Sequence, residues 1–429
     1  MTSLRPVIFT LYGKIRDQTC RSLREICKFN AQSIEYTDVR AFWNSARGRF
    51  FMSEKVKRNI LLNPGPSTTT DTVKYAQIVP DICPREKEFA GIMAPMRDDL
   101  VRIVHGDTKE FTSVLFCGSG TICIDVTLNS LLEEGKQALV IKNGSYSSRA
   151  CDVLDYYGLP YTAIESPTDQ LFDPSVLEET LNKLDNVGYV YMTHHETGSG
   201  LLNPIREVGA IAHKHGAFFI TDTTSSYAMI PIDVNSDNID FCMASAQKGI
   251  MGMTGLSYVI GRRSIIEKSK DFPKHSYYCN LYRQYAYFEE TGEMNFTPPV
   301  QTIYAAKQAL IEYFAEGEEE KWKRHQRIMA AIRKGIDDLG FKEALPRDIQ
   351  SGLVAAVRYP DDPAWDFEKI HDHCYERGFT IYPGKMQGKG TFRLCALGAI
   401  DAADIEEFWK VFKEALDEAG VKTPAVYKE

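Results

Sequence analysis

Lys248 is the residue of this chain whose type and position most suggest covalent chemistry. It follows the apolar run Phe241-Cys242-Met243-Ala244-Ser245-Ala246-Gln247 and precedes Gly249, so it stands where a strand ends and the chain turns. Burial lowers a lysine's pKa and leaves a neutral amine, the form that attacks carbonyls to make Schiff bases. The plain alternative is a lysine that snorkels to solvent. Asp222 closes another apolar run, Ala217-Phe218-Phe219-Ile220-Thr221, 26 residues before Lys248. A carboxylate buried at the carboxyl end of a strand needs a cationic partner, and the protonated ring nitrogen of a bound heterocycle is one that would keep the ring an electron sink. Otherwise Asp222 caps the following turn.

A third feature is Gly118-Ser119-Gly120-Thr121, where a short apolar run turns into a helix. Unpaired helix N–H groups and the helix dipole both favour an anion there, a phosphate above all. Many strand–helix turns carry Gly and Ser, so the signal is weak alone. It is neither G-x-G-x-x-G nor a Walker A motif, which argues against NAD and ATP as cofactors. Phosphate loop, aspartate and lysine, in that order, weigh far more together than singly. His194-His195 and His371-x-His373 lack the i, i+4 spacing of a helix-borne metal site, so a zinc or di-metal hydrolase is set aside and no metal is expected. The first pair reads as polar residues at a strand's end.

These residues need elements that hold them. From 110 to 263 apolar runs alternate with helical patterns: strands at 114–117, 138–142, 187–193, 217–221, 241–244 and 257–260, with helices from 121, over 145–157 and over 204–216. Buried runs separated by helices of this length mean βαβ crossovers, hence an α/β fold with a mostly parallel sheet. Two long helical patterns follow, near 302–315 and 318–339. Then come a strand at 353–359, a helix at 367–377, strands around 379–383 and 392–397, and a closing amphipathic helix over 402–419. We expect a large domain over 52–304 and a smaller α+β domain over 305–429. The charge run 316–324 reads as a solvated helix face.

Residues 1–51 hold nine basic and four acidic residues, against a net charge of −13 for the rest. We read them as a basic N-terminal extension, with Met52 as the natural start. A targeting peptide is the other reading, but Asp17, Glu25, Glu35 and Asp38 count against it. The whole chain of 429 residues carries a formal charge of −8, which argues against nucleic acid and anionic membranes as partners. No apolar run approaches the ~18 residues of a membrane span. None of the ten cysteines falls in a C-x-x-C pair, and most sit in apolar segments, so free thiols and a cytoplasmic location are expected.

From about residue 58 to 420 the chain resembles the pyridoxal-phosphate aminotransferases of fold type I, class V, and within them most closely the 2-aminoethylphosphonate–pyruvate transaminases. The likeness is carried by Leu61-Leu62-Asn63-Pro64-Gly65-Pro66, Gly118-Ser119-Gly120-Thr121, Asn143-Gly144-Ser145-Tyr146, His195-Glu196-Thr197, Gly200-Leu201-Leu202-Asn203-Pro204-Ile205, Asp222, Gln247-Lys248, Ile381-Tyr382-Pro383-Gly384-Lys385 and Phe392-Arg393. The resemblance implies that the 52–304 domain binds pyridoxal 5′-phosphate, with Lys248 forming the aldimine and later shuttling a proton, and Asp222 holding the ring nitrogen. It implies Tyr146 stacked on the ring, Thr197 near the ring hydroxyl, and Ser119, Gly120, Thr121 and Gln247 as phosphate or cofactor contacts. Thr297 would reach the phosphate of a neighbouring subunit, making a homodimer with shared sites. Arg393 would bind the substrate's acidic group, a salt bridge within the fold being its other reading.

The implied reaction moves an amino group from 2-aminoethylphosphonate to pyruvate, giving phosphonoacetaldehyde and L-alanine. Gly198-Ser199, Cys395-Ala396, Cys117 and the segment 80–86 depart from the pattern, and Arg85 becomes a candidate second anion contact. These departures leave the lysine chemistry intact and bear on the amino donor. An alanine–glyoxylate or serine–pyruvate transaminase is the near alternative, and a non-catalytic protein on the same scaffold the distant one. A cysteine desulfurase fits less well, because that branch places histidines where this chain has Tyr146 and Gln247.

Overall fold

Val, Ile, Phe and Tyr buried on both faces build the central strands, the composition expected of a sheet covered by helices on each side. The computed structural model describes residues 56–386 and 388–428, and every element below lies in the unit Arg58–Glu429. The expectation for residues 1–51 lies outside the described residues.

The strands are β1 (Ile60–Leu61), β2 (Phe111–Cys117), β3 (Gln137–Lys142), β4 (Tyr161–Glu165), β5 (Val187–Thr193), β6 (His195–Glu196), β7 (Leu201–Leu202), β8 (Phe218–Asp222), β9 (Phe241–Ser245), β10 (Leu256–Arg262), β11 (Val354–Arg358), β12 (Phe379–Thr380), β13 (Tyr382–Pro383) and β14 (Thr391–Cys395). The helices are α1 (Asp71–Tyr75), α2 (Lys87–Arg102), α3 (Gly120–Ser130), α4 (Ser145–Tyr157), α5 (Pro174–Leu181), α6 (Ile205–Lys214), α7 (Arg263–Lys268), α8 (Leu281–Thr291), α9 (Val300–Glu316), α10 (Glu318–Asp338), α11 (Phe367–Glu376) and α12 (Ala402–Ala419).

A seven-stranded sheet runs in the order β2-β10-β9-β8-β5-β3-β4. Its neighbours pair in parallel except at β10, which is antiparallel to both β9 and β2. The mostly parallel α/β sheet is therefore as expected, with one reversed strand. Because β2 is reversed twice relative to β9, the carboxyl ends of β2, β3, β5, β8 and β9 share one edge of the sheet. All the loops bearing candidate residues from 118 to 248 leave from that edge, where open α/β sheets place ligands.

The apolar interior falls into one large cluster drawn from Phe89 to Tyr313 and a second drawn from Ile60, Leu62 and residues 328 to 421. The second lies beneath the three-stranded antiparallel sheet β11-β14-β13 and helices α10 and α12. β1 pairs in parallel with β12, so the chain just before Asn63 is anchored on that second sheet region. The turn that follows then returns to Lys248: the Ser67 hydroxyl donates to the carbonyls of Gln247 and Lys248, each at 2.8 Å.

One expected strand is two. The run 379–383 breaks at Ile381, its first half pairing with β1 and its second with β14, so the chain changes sheets in mid-run.

Candidate active site

Lys248 sits in the turn after β9, and its surroundings explain the glycines beside it. Gly65 has φ +130, and a Cβ there would overlap the end of the Lys248 side chain. A Cβ on Gly249 would overlap the Tyr227 carbonyl oxygen. The lysine is thus clasped between two stretches of backbone, with Nζ donating to the Pro64 carbonyl. Burial pushes its amine below the ordinary lysine range, and the Arg393 charge adds to the effect. This is the environment that makes a lysine nucleophilic near neutral pH.

Asp222 ends β8 with its carboxylate accepting the Thr224 backbone N–H at 2.8 Å. Burial raises its carboxyl above the usual range, and among the described residues no cation lies within ion-pairing distance. A cationic group arriving in the cavity would reverse that shift. At the end of β2, Ser119 is the N-cap residue of α3 with its hydroxyl free, leaving the first turn of the helix open to an anion.

Tyr146 lies in the first turn of α4, and its ring faces two cations: the Arg149 guanidinium carbon at 4.9 Å and Lys385 Nζ at 5.8 Å from the ring centre. Its backbone is fixed by Glu196, which the sequence motif contained without a role. The Glu196 carboxylate accepts the N–H of Tyr146 at 3.1 Å and of Gly198 at 3.3 Å, and fills the space a Cβ on Gly144 would take. A carboxylate there meets the positive end of α4. Burial nevertheless pushes its carboxyl up to about 7.

A cavity of about 220 Å³ opens among these residues. Eight of the eleven candidate residues line it: Ser119, Gly120, Thr121, Tyr146, Thr197, Asp222, Gln247 and Lys248. Arg393 is buried just behind the lining, where its guanidinium donates to the carbonyls of Thr197 at 3.2 Å and Pro383 at 3.1 Å. No carboxylate among the described residues pairs with it, so it is not part of a salt bridge within the fold. Thr297 lies outside the lining and is itself exposed, between half-buried Phe296 and buried Pro298. Arg85 is also away from the cavity: it pairs with Glu293 at 3.0 Å and donates to the carbonyls of Met294 and Asn295.

Arg149, Thr224 and Ser245 line the cavity without having been singled out in the sequence. Arg149 lies one turn after Tyr146 on the same helix. His195 lines it too: its Nδ1 donates to the Ser225 carbonyl at 2.9 Å, so its Nε2 accepts from the Ser351 hydroxyl at 2.8 Å. Burial pushes its imidazole down to about 4, so it is neutral at physiological pH.

The lining suits pyridoxal phosphate. Thr193, Thr224, Ser245 and Gln247 each carry a buried side-chain oxygen with no hydrogen-bond partner inside the protein. Such orphans are costly unless a ligand or water meets them. A phosphate and ring hydroxyl bring the hydrogen-bonding capacity required, a ring nitrogen answers Asp222, and an aldehyde answers Lys248.

The aminotransferase class-V family profile matches residues 72–358. A 2-aminoethylphosphonate–pyruvate transaminase of Cupriavidus necator is 32% identical over 371 residues, spanning 86% of this chain and 98% of the relative. The enzyme of that name from Salmonella typhimurium is 32% identical over 363 residues, 83% of this chain and 97% of its own length. Among solved structures, the alanine–glyoxylate aminotransferase of Nostoc sp. superposes with a TM-score of 0.78 at 21% identity, covering 85% of this chain and 96% of that one. The ureidoglycine–glyoxylate aminotransferase of Bacillus subtilis also gives 0.78, at 19% identity over 86% of this chain and 96% of that one. With a lysine, an aspartate and a phosphate-type turn meeting at one sheet edge, and with these relatives matched over nearly their full length, the chain belongs to the class-V aminotransferases and takes pyridoxal 5′-phosphate as its cofactor.

Proposed function

We propose that the chain transfers the amino group of 2-aminoethylphosphonate to pyruvate, yielding phosphonoacetaldehyde and L-alanine. The observation that carries this reading is Arg393: a buried guanidinium with no carboxylate partner, bonded to the carbonyl of cavity-lining Thr197. A buried cation left ionically unpaired is costly in a fold and useful in a site for an anion. A guanidinium fork accepts a phosphonate or a carboxylate with equal ease, so the donor is set by the likeness to the phosphonate-named relatives.

When bound, pyridoxal phosphate supplies an aldehyde that exchanges for the donor's amine and a ring that accepts an electron pair. The chain's residues do the rest. Lys248 Nζ, which donates to the Pro64 carbonyl and whose pKa burial lowers, would hold the cofactor's aldehyde and move a proton to and from the donor's amine-bearing carbon. Asp222 would stabilise positive charge at the ring nitrogen, Tyr146 would cover the ring, and Gln247, Thr197 and the residues 119–121 would meet its polar groups. Arg393 anchors the donor's acidic end and so fixes the reacting carbon near Nζ.

Two wider readings belong with this one. Thr297, exposed in its own chain, supports a homodimer in which it completes the neighbouring site. All eight described cysteines are free thiols, which supports a reducing, cytoplasmic location. Among the described residues no helix is long and apolar enough to cross a membrane.

The test is product formation by the purified protein. Incubation with 2-aminoethylphosphonate and pyruvate should yield L-alanine and phosphonoacetaldehyde in equal amounts, and omission of either substrate should stop both. Alanine formation from serine and pyruvate, with none from the phosphonate, would assign the chain to the serine–pyruvate branch instead.

A further inference from the structure

We propose that Arg149 is the charged contact of the cofactor's phosphate, acting together with the open first turn of α3. The proposal rests on the reading that the phosphate lies at residues 119–121. A phosphate monoester carries about −1.5 to −2 charges at neutral pH. Asp222 adds another negative charge to the same cavity. The cations among the lining residues are Lys248 and Arg149. Lys248 is committed to the aldehyde, and a helix N-terminus supplies only about half a positive charge. Arg149 is left to balance the phosphate.

Its geometry fits that role. One guanidinium nitrogen, Nη1, donates to the Thr121 hydroxyl at 3.1 Å, which brings the cation to the first turn of α3. The same guanidinium lies 4.9 Å from the centre of the Tyr146 ring, so it spans the gap between the phosphate turn and the ring that would cover the cofactor. Among the described residues Arg149 has no carboxylate partner, and the Thr121 bond is its one hydrogen bond, so most of its five donors remain available to a ligand. A guanidinium with spare donors beside a helix N-terminus is the arrangement that recognises phosphate in two teeth.

The test compares the affinity of the cofactor-stripped full chain for pyridoxal 5′-phosphate with that for pyridoxal, which keeps the aldehyde and ring but lacks the phosphate. Isothermal titration is done for the wild type, Arg149→Gln, Arg149→Lys and Thr121→Val. We expect Arg149→Gln to weaken pyridoxal phosphate by about ten- to a hundredfold, the range for a lost charged hydrogen bond. Pyridoxal should change by less than about twofold, with Arg149→Lys falling between.

Equal weakening of both compounds would overturn the proposal and leave Arg149 as a support for Tyr146. Unchanged affinity for both, with a raised KM for 2-aminoethylphosphonate, would overturn it in favour of a substrate contact. If Arg149→Gln does not fold, Arg149→Lys decides alone: a selective loss for the phosphate form supports the proposal, and wild-type selectivity overturns it. Thr121→Val removes the hydroxyl that holds Nη1 and leaves the N–H groups of the first turn in place. It should weaken the phosphate form selectively but by less than Arg149→Gln, and wild-type affinity for both compounds in that variant would overturn the joint action of Arg149 with the first turn of α3.

Discussion

At the scale of single residues, the proposed function asks Lys248 to make bonds and Arg393 to hold charge. Burial lowers the Lys248 pKa and its Nζ donates to the Pro64 carbonyl, and its removal takes away the one lysine among the described residues that line the cavity. Lys248→Ala should lower kcat by at least about a thousandfold and abolish the cofactor's absorbance band in the purified protein, as loss of a covalent group generally does. Turnover within tenfold of wild type would remove Lys248 from the reaction. Arg393 ties the Thr197 carbonyl to that of Pro383, and the proposed function gives it a second task, holding the substrate's acid group. Arg393→Ala should therefore raise KM for the phosphonate by about tenfold or more and also lower kcat, because the Thr197 turn loses its tie. Steady-state kinetics separates these effects; unchanged values for both would make the arginine purely structural.

At the scale of elements, α10 reaches behind the active lysine. Its first-turn residue Lys321 is buried, donates to the Gly249 carbonyl at 2.6 Å and lies 5.0 Å from the Tyr313 ring centre. Burial, with Arg324 nearby, pushes its amine down to about 7, against the opposing charges of Glu316 and Glu312. The unfolded chain therefore binds the proton more readily between about pH 7 and its ordinary 10.5, and this group's contribution to stability is present above 10.5 and lost as pH falls to about 7. Lys321→Met removes that dependence: measured by denaturant unfolding, the wild type should gain on the variant as pH rises through this window, by at most about 1.4 kcal/mol per pH unit. A pH-independent difference would mean that Lys321 titrates normally.

The elements also show what could be read from the sequence. The helix 145–157, the strand 187–193 and the closing helix 402–419 end where their patterns end, because each has a wholly or one-sidedly buried face and a clear stop, such as the αL Gly158 and Gly420. β4 escapes notice because it is a half-exposed edge strand with little apolar patterning, α2 because Pro95 interrupts it, and α5 because it has only eight residues. For the site, Lys248, Asp222 and residues 118–121 are legible because strand ends in a parallel sheet converge on one edge. Arg149 is not, because a charged residue on a helix usually faces water, and only the packing of α4 against α3 shows where this one goes.

At the scale of the whole molecule, the proposed homodimer makes its own predictions. Thr297 is exposed and lies near aromatic residues that are themselves open to solvent: Tyr277 is 68% and Tyr278 42% exposed, and Tyr278 stacks on Phe296 with ring centres 4.5 Å apart. Arg85 ties down the backbone just before it. Sedimentation should give twice the chain mass of 48.5 kDa. Thr297→Ala should weaken pyridoxal phosphate binding while leaving the dimer intact, since a hydroxyl contributes little to a large interface. An active monomer would contradict the shared site.

The central claim is that an amine leaves 2-aminoethylphosphonate through a Lys248-borne cofactor, and a half-reaction tests it most directly. The purified protein is mixed with 2-aminoethylphosphonate, L-alanine or L-serine, one at a time and without any keto acid, while the cofactor absorbance is followed. The account predicts conversion to the amine form of the cofactor with the phosphonate and with alanine, but not with serine. Conversion by alanine or serine alone, with the phosphonate inert, would contradict it.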